Sequence, residues 1–246
     1  MDQKAPSPPT SRSHYAVFTA RQYLTTPVTY TLIALCVLVW FAQLIPSLDY
    51  LLFQNGAFMP SLGALEPWRF LTASFLHAPQ IWHLLFNMLC LWILGRTLEP
   101  AINTKFFLAS YCVCAIGGSV GSIWFSTSIT DPNGTWMQAT VGASGAISGL
   151  FAMLFVLAST VGADMRGILA VLLLNATLPF FIEGIVWQSQ LGGLLTGLMI
   201  GALCALQRKI CIRTLRWLGL AAIAAVLIAL AWHKYEVVGS VVHLGW

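Results

Sequence analysis

Residues 141–150 read Val-Gly-Ala-Ser-Gly-Ala-Ile-Ser-Gly-Leu and open a long apolar run. Ser144 lies between Gly142 and Gly145, which have no side chain and leave room for another chain to approach the backbone. A serine at a helix start also has unpaired N–H donors and the positive end of the helix dipole nearby. These features suit a nucleophile beside an oxyanion hole. However, Gly145 and Gly149 also form the small-xxx-small pattern of packed membrane helices, so both interpretations stay open here.

The composition is that of a membrane protein. Of the 246 residues, 58% are hydrophobic and only 8% are charged, whereas about a quarter of an average soluble domain is charged. We therefore expect the lipid bilayer as a partner. The formal net charge of +4 is scattered along the chain, so no nucleic acid partner is indicated. The sequence has no metal-ligand cluster and no phosphate-binding loop, so neither a metal nor a cofactor is expected.

Seven apolar runs predict an all-α polytopic membrane protein of about seven transmembrane helices, because helices satisfy their own backbone in lipid. The runs cover about residues 28–45, 81–98, 106–125, 141–161, 168–181, 186–206 and 215–232. Between the first two, residues 47–80 are too interrupted by proline and glycine to span a membrane, and too apolar for an ordinary loop. We expect this first loop to lie in the membrane interface.

The basic residues predict the orientation and the domain limits. Residues 1–24 are expected to form a disordered cytoplasmic tail, 25–232 the transmembrane domain, and 233–246 a short tail on the other side. Seven spans with the N-terminus inside keep ten of the twelve Lys and Arg residues inside, with only Arg69 and Lys234 outside. Basic residues are held on the cytoplasmic side. A multi-pass plasma-membrane protein with a cytoplasmic N-terminus and an external C-terminus is expected.

Polar residues fall in the spans that enter from the outer face. His83 and Asn87 are four residues apart and share one face of the second span. Ser144 begins the fourth span, and Gln190 lies in the first turns of the sixth. Polar groups in a span are costly and usually face the protein interior, where they mark function or bond across helices. We therefore expect these four side chains to meet in the outer leaflet.

Four short motifs follow one another in the order of a known family. They are Glu66-x-Trp68-Arg69, His83-x-x-x-Asn87, Gly142-Ala-Ser144-Gly145 and Leu191-Gly-Gly193-x-x-x-Gly197. Together they resemble the signature of the rhomboid intramembrane serine proteases over more than half of the chain. The resemblance implies a rhomboid-like bundle whose first loop lies sideways in the membrane. It also implies a serine endopeptidase (peptidase family S54) that cleaves transmembrane helices of single-pass membrane proteins.

The resemblance also implies roles for individual residues. Ser144 matches the nucleophile, while His83, Asn87 and the amide region at Gly142 match the groups that stabilise the oxyanion. Close packing of the fourth span on the sixth is expected at four glycines, namely Gly145, Gly149, Gly193 and Gly197.

Charged residues near the ends of spans are expected to have structural roles. Trp68 and Arg69 suit an anchor in the interface, with the ring at headgroup depth and the guanidinium in the polar layer. Glu99, at the inner end of the second span, is expected to form a local charge pair with Arg96.

One position departs from the family. Where the family has its base, a histidine just before the Gly-Gly pair of the sixth span, this chain has Gln190. A glutamine amide cannot take up a proton near neutral pH, and a serine hydroxyl is a weak nucleophile without a base. Loss of the base costs about a millionfold in turnover in a soluble serine protease. Hydrolysis is therefore expected to be weak or lost.

Three hypotheses follow. The first is a protease that uses Ser144 with an unorthodox base, for which His83 is the candidate. The second is a catalytically inactive rhomboid pseudoprotease that binds transmembrane clients. The third is a channel or transporter, which the sequence favours least, because the polar residues gather near one face and no inverted repeat is evident.

Overall fold

The computed structural model describes residues 26–126, 134–163, 166–167, 170, 186–210 and 213–244. Within these ranges the chain is helical, apart from turns and one isolated antiparallel bridge between Phe58 and Thr140. The helices are α1 Pro27–Gln43, α2 Pro46–Gly56, α3 Arg69–Thr72, α4 Ile81–Ile102, α5 Thr104–Trp124, α6 Ser144–Ser159, α7 Trp187–Ile210 and α8 Arg213–Leu244. A 3₁₀ turn, Ala73–Phe75, follows α3.

The helices agree with the predicted all-α membrane bundle. Four of them, α4, α5, α7 and α8, are long and apolar enough to cross a membrane, and α1 and α6 are shorter apolar helices. Apart from residue 170, the predicted fifth span, 168–181, lies outside the described residues, as does the predicted tail, 1–24. Helix α8 continues to Leu244, so residues 233–244 of the expected second tail are its last turns.

Helices α6 and α7 touch backbone to backbone. A Cβ atom placed on Gly193 would overlap the carbonyl oxygen of Gly145, and one on Gly197 would overlap that of Gly149. Only glycine leaves room for such an approach. Residue numbers rise in the same direction along both helices from the first contact to the second, so α6 and α7 are parallel.

Helix α5 completes the centre of the bundle. It packs on α7 where a Cβ on Gly121 would lie 2.7 Å from the Cα of Gly192, and it also contacts α6. Its side chains Phe106, Phe107 and Tyr111 are fully buried. Helix α1 packs on α4, and α8 crosses both α5 and α7. The arrangement places the first turns of α6 and α7 side by side.

The first loop folds around a buried arginine. Arg69 is only 4% exposed. Its guanidinium forms an ion pair with Glu66 and donates to the carbonyl oxygens of Ala57, at 2.7 Å, and Gln54. It therefore binds the protein itself and not the polar layer of the membrane, which corrects our expectation for this side chain. The half-exposed Trp68 donates from Nε1 to the carbonyl of Asn55 at 2.9 Å.

Glu99 joins two helices that are far apart in sequence. Its fully buried carboxylate accepts from the backbone N–H groups of Val28 (3.1 Å) and Thr29 (2.9 Å), and from the Thr29 hydroxyl (2.7 Å). These N–H groups belong to the first turn of α1, which has no intrahelical acceptor for them and attracts negative charge. Arg96 instead lies 4.9 Å over the ring of Trp92. The predicted pair between Glu99 and Arg96 is wrong.

Candidate active site

Ser144 is the first residue of α6. The first bond within this helix runs from the N–H of Ile147 to the carbonyl of Ala143, at 2.9 Å. The amides of Ser144, Gly145 and Ala146 therefore have no partner inside the helix. The serine hydroxyl thus lies at the positive end of a helix dipole, among N–H groups available to an anion.

A small cavity lies beside Ser144. Its volume is about 30 Å³, which is room for one or two water molecules. The first loop and helices α4, α5, α6 and the start of α7 all contribute to its wall. Five serines are among the lining residues, namely Ser74, Ser119, Ser122, Ser144 and Ser189. The cavity is therefore a polar site enclosed by several helices.

His83 presents an N–H donor to this cavity. Its ring packs on Gly142, where an added Cβ would lie 2.9 Å from Cε1 and 3.1 Å from Nε2. On the other side of the ring, Nδ1 accepts a hydrogen bond from the backbone N–H of Ala78, at 3.1 Å. A neutral imidazole has one N–H, so the proton is on Nε2. An N–H at this edge can stabilise an oxyanion, but it cannot accept the proton of Ser144.

Two residues expected at the oxyanion have other partners. The backbone N–H of Gly142 donates to the carbonyl of Ala73 at 2.9 Å, so this amide is not a free donor and our expectation for it is corrected. The buried Asn87 donates from Nδ2 to the carbonyl of His83, at 2.7 Å, and does not line the cavity beside Ser144. Gly142 has a φ of 121°, a conformation that favours glycine. It shapes the turn into α6.

Helix α7 reaches the cavity through Ser189. Its hydroxyl oxygen lies 2.7 Å from the place a Cβ would take on Gly145. The motifs in the sequence did not point to Ser189. Its position four residues before Gly193, on the same helix face, was the available signal.

Gln190 is buried next to this contact, at 6% exposure, but it is not among the residues that line the cavity. Since it precedes Gly193 by three residues, about 4.5 Å along the axis, it lies near the depth of Ser144. Within the described residues, no hydrogen bond joins Gln190 to Ser144.

A second histidine lies behind the first. The ring of His77, in the loop before α4, is 5.4 Å from that of His83 and 1% exposed. Burial, with a smaller contribution from His83, lowers the pKa of His77 to about 4. Its backbone N–H donates to the side-chain oxygen of Gln43 at 3.0 Å, which ties the loop to α1. His77 is therefore a neutral, buried support for the loop.

Comparison with known proteins shows the family of the chain. The Rhomboid domain family matches residues 64–207. The chain is 30% identical over 190 residues to the putative rhomboid protease YdcA of Bacillus subtilis. The aligned residues cover 74% of this chain and 91% of that relative. It is 33% identical over 148 residues to the rhomboid protease GluP of the same organism, covering 58% of this chain but only 27% of the relative. It is also similar to the rhomboid-like protease 3 of Toxoplasma gondii, at 26% over 159 residues, covering 63% and 58%.

The fold, the serine at the start of α6 and these relatives define an intramembrane protein of the rhomboid class. The chain belongs to the rhomboid family, as an integral membrane protein that is either a protease or a pseudoprotease.

Proposed function

We propose that this chain binds transmembrane segments of single-pass membrane proteins at a rhomboid-type site and hydrolyses them weakly or not at all. The observation that carries the proposal is Gln190, at the position of the base. The amide of Gln190 has no site that binds a proton near neutral pH, so it cannot activate Ser144.

The orientation of His83 supports the proposal. Because Nδ1 of His83 is occupied by the N–H of Ala78, the other ring nitrogen, Nε2, which lies against Gly142, carries the proton. To act as a base, His83 would have to lose the bond to Ala78 and change tautomer. Its role in this proposal is to donate a hydrogen bond to the substrate carbonyl oxygen.

Three features of the site support the binding of a client. Ser144, the unpaired amides at the start of α6, and His83 together suit a carbonyl group that enters the cavity. In a soluble serine protease, an enzyme without its triad keeps about 10³- to 10⁴-fold catalysis over water from the oxyanion hole and binding. A rhomboid site without a base is thus expected to bind clients and to turn them over slowly at most.

Labelling of the purified full chain with a fluorophosphonate serine probe tests the proposal. We expect no labelling of the native chain, labelling of the variant Gln190→His, and none of the double variant Gln190→His, Ser144→Ala. The single variant Ser144→Ala is the matched control for the native chain. Labelling of the native chain that disappears in this control would show an activated serine and overturn the proposal.

The alternative is a protease that uses His83 as its base, and it is favoured by the closeness of His83 to the turn before Ser144. It predicts labelling of the native chain that is lost in His83→Gln. The proposal predicts no labelling in either protein.

We propose that the N-terminus is cytoplasmic, the C-terminus is outside, and the membrane is the plasma membrane. The distribution of Lys and Arg supports this orientation. Alkaline phosphatase fused after Trp246 is expected to be active, since it folds only outside the cytoplasm. An inactive fusion, with a cytoplasmic reporter active at the same position, would reverse the orientation.

A further inference from the structure

An apolar cleft lies between α5, α7 and α8, separate from the cavity beside Ser144. Its volume is about 310 Å³. The cleft is lined by Gly117, Val120, Gly121, Trp124, Phe125, Gly192, Leu195, Thr196, Met199, Ile223, Val226, Leu227 and Leu230. The hydroxyl of Thr196 donates to the carbonyl of Gly192 at 2.8 Å. The lining side chains therefore offer an occupant apolar contacts, apart from the indole of Trp124 at one end.

Glycines form the floor of the cleft, and larger side chains form its walls. At the floor, α5 and α7 approach closely because Gly121 packs on Gly192. The walls are exposed, with Leu195 at 47%, Met199 at 48% and Val226 at 49%. The cleft is therefore an open furrow between helices and not an enclosed cavity.

A positive charge lies at the end of the cleft where Trp124 is found. Val226, Leu230 and Lys234 follow one another at intervals of four residues along α8, so Lys234 continues the stripe that lines the cleft. Its Nζ lies 5.6 Å over the ring of Trp124, whose Nε1 donates to the carbonyl of Leu230 at 3.2 Å. The ring of His233 stacks on the same indole at 6.4 Å.

We propose that this cleft is a binding site for an anionic phospholipid, with one acyl chain in the furrow and the phosphate at Lys234. The apolar lining suits a hydrocarbon chain, and the ammonium group at its end complements a phosphate. A volume of about 310 Å³ is roughly twice that of the ~150 Å³ apolar cavity that holds one benzene.

Such a lipid would contact three helices at once. It would join α8 to the pair α5 and α7, and α7 carries Ser189 and Gln190. The site does not depend on the proposed function, because it needs neither a client nor an active serine.

Native mass spectrometry of the detergent-purified full chain tests the site, with phosphatidylglycerol compared with phosphatidylcholine of the same chain length. We expect the native chain to retain phosphatidylglycerol preferentially. Lys234→Gln is expected to reduce that preference roughly fivefold, the factor for one basic residue at an anionic lipid surface. Lys105→Gln, which removes an exposed lysine at the start of α5, is the matched control and should leave the preference unchanged.

A second pair of variants tests the furrow. Val226→Trp would fill it and is expected to lower retained phospholipid at least tenfold. Ile228→Trp places the same side chain at an exposed position of α8 that does not line the furrow, and should retain lipid as the native chain does.

Equal retention by these two tryptophan variants would overturn the proposal, as would equal binding of the two lipids by the native chain. If Val226→Trp blocked the binding of a single-span peptide to the chain but left lipid retention unchanged, the furrow would hold a partner helix. The proposal would then be wrong.

Discussion

His83 accepts a hydrogen bond at Nδ1 from the backbone N–H of Ala78, at 3.1 Å, and this bond sets the chemistry of its other nitrogen. Ala78 lies in the loop before α4 and His83 in the first turn of that helix. The loop therefore decides which edge of the imidazole donates. With the proton on Nε2, the ring faces Gly142 and the cavity as a donor.

The first prediction concerns this donor. In the Gln190→His background, His83→Ala is expected to lower the rate of fluorophosphonate labelling about 10²- to 10³-fold, as loss of one oxyanion donor does elsewhere. His77→Ala is the control, because His77 is buried behind His83 and does not line the cavity. If His83→Ala labelled as fast as its parent, this imidazole would not contribute to the oxyanion site.

The second prediction concerns the contact of α6 with α7. Gly193→Ala is expected to destabilise the protein by roughly 1–3 kcal/mol, because the added methyl group overlaps the carbonyl of Gly145 and the backbones must separate. Thermal unfolding in detergent measures the change. Gly239→Ala, at a position with open space around the added atom, should be neutral or slightly stabilising. Equal melting temperatures for the two variants would contradict the contact.

The third prediction concerns the carboxylate that caps α1. Glu99→Ala leaves two N–H groups and the Thr29 hydroxyl without their buried acceptor. We expect a loss of about 2–3 kcal/mol and a smaller one for Glu99→Gln, which keeps an acceptor oxygen. The control is Glu236→Ala, since Glu236 is exposed and bonded to the exposed Trp232. If Glu236→Ala lowered the free energy of unfolding as much as Glu99→Ala does, the Glu99 cap would contribute nothing specific to stability.

The fourth prediction is a dependence of stability on pH. The pKa of His77 is about 4 in the folded chain, against an ordinary value of 6.5. Between these values the unfolded chain binds more protons, so stability is fully present above pH 6.5 and falls as the pH drops toward 4. This histidine accounts for a loss of roughly 3 kcal/mol.

Melting temperatures recorded from pH 7.5 to pH 4 measure this effect. His77→Gln is expected to flatten the profile, whereas His233→Gln, which removes an exposed imidazole, should keep it. A profile that is equally steep in His77→Gln would assign the acid sensitivity to another group.

The apolar runs predicted the helices well because span length and hydropathy are local properties. Six of the seven predicted spans correspond to helices, and the other, apart from residue 170, lies outside the described residues. Within the first loop, α2 was not predicted. It begins at Pro46 and ends at Gly56, one of the glycines that we took as an interruption of the segment.

The hydrogen-bond partners of polar groups could not be predicted from the spacing of residues along the sequence. Glu99 binds residues about 70 positions away, so no pattern around Arg96 could show the cap on α1. The amide region at Gly142 was expected to match the oxyanion groups, but Ala73, in a segment that the sequence left irregular, accepts the hydrogen bond of the Gly142 amide. Ser189 was passed over in favour of its neighbour Gln190, because the choice between adjacent residues depends on the rotation of α7 about its axis.

At Gly193 and Gly197 the carbonyl groups of α6 rest on the backbone of α7, and these two contacts therefore have no rotamers to rearrange. The geometry of these two contacts depends on the main chain, so we expect that a neighbouring residue can be exchanged without moving the two helices. Residue 190 is such a neighbour. In evolutionary terms, the architecture and the proton chemistry of such a protein can be inherited separately. A lineage could lose the base, or regain it, by changing one side chain while selection continued to act on an unchanged bundle.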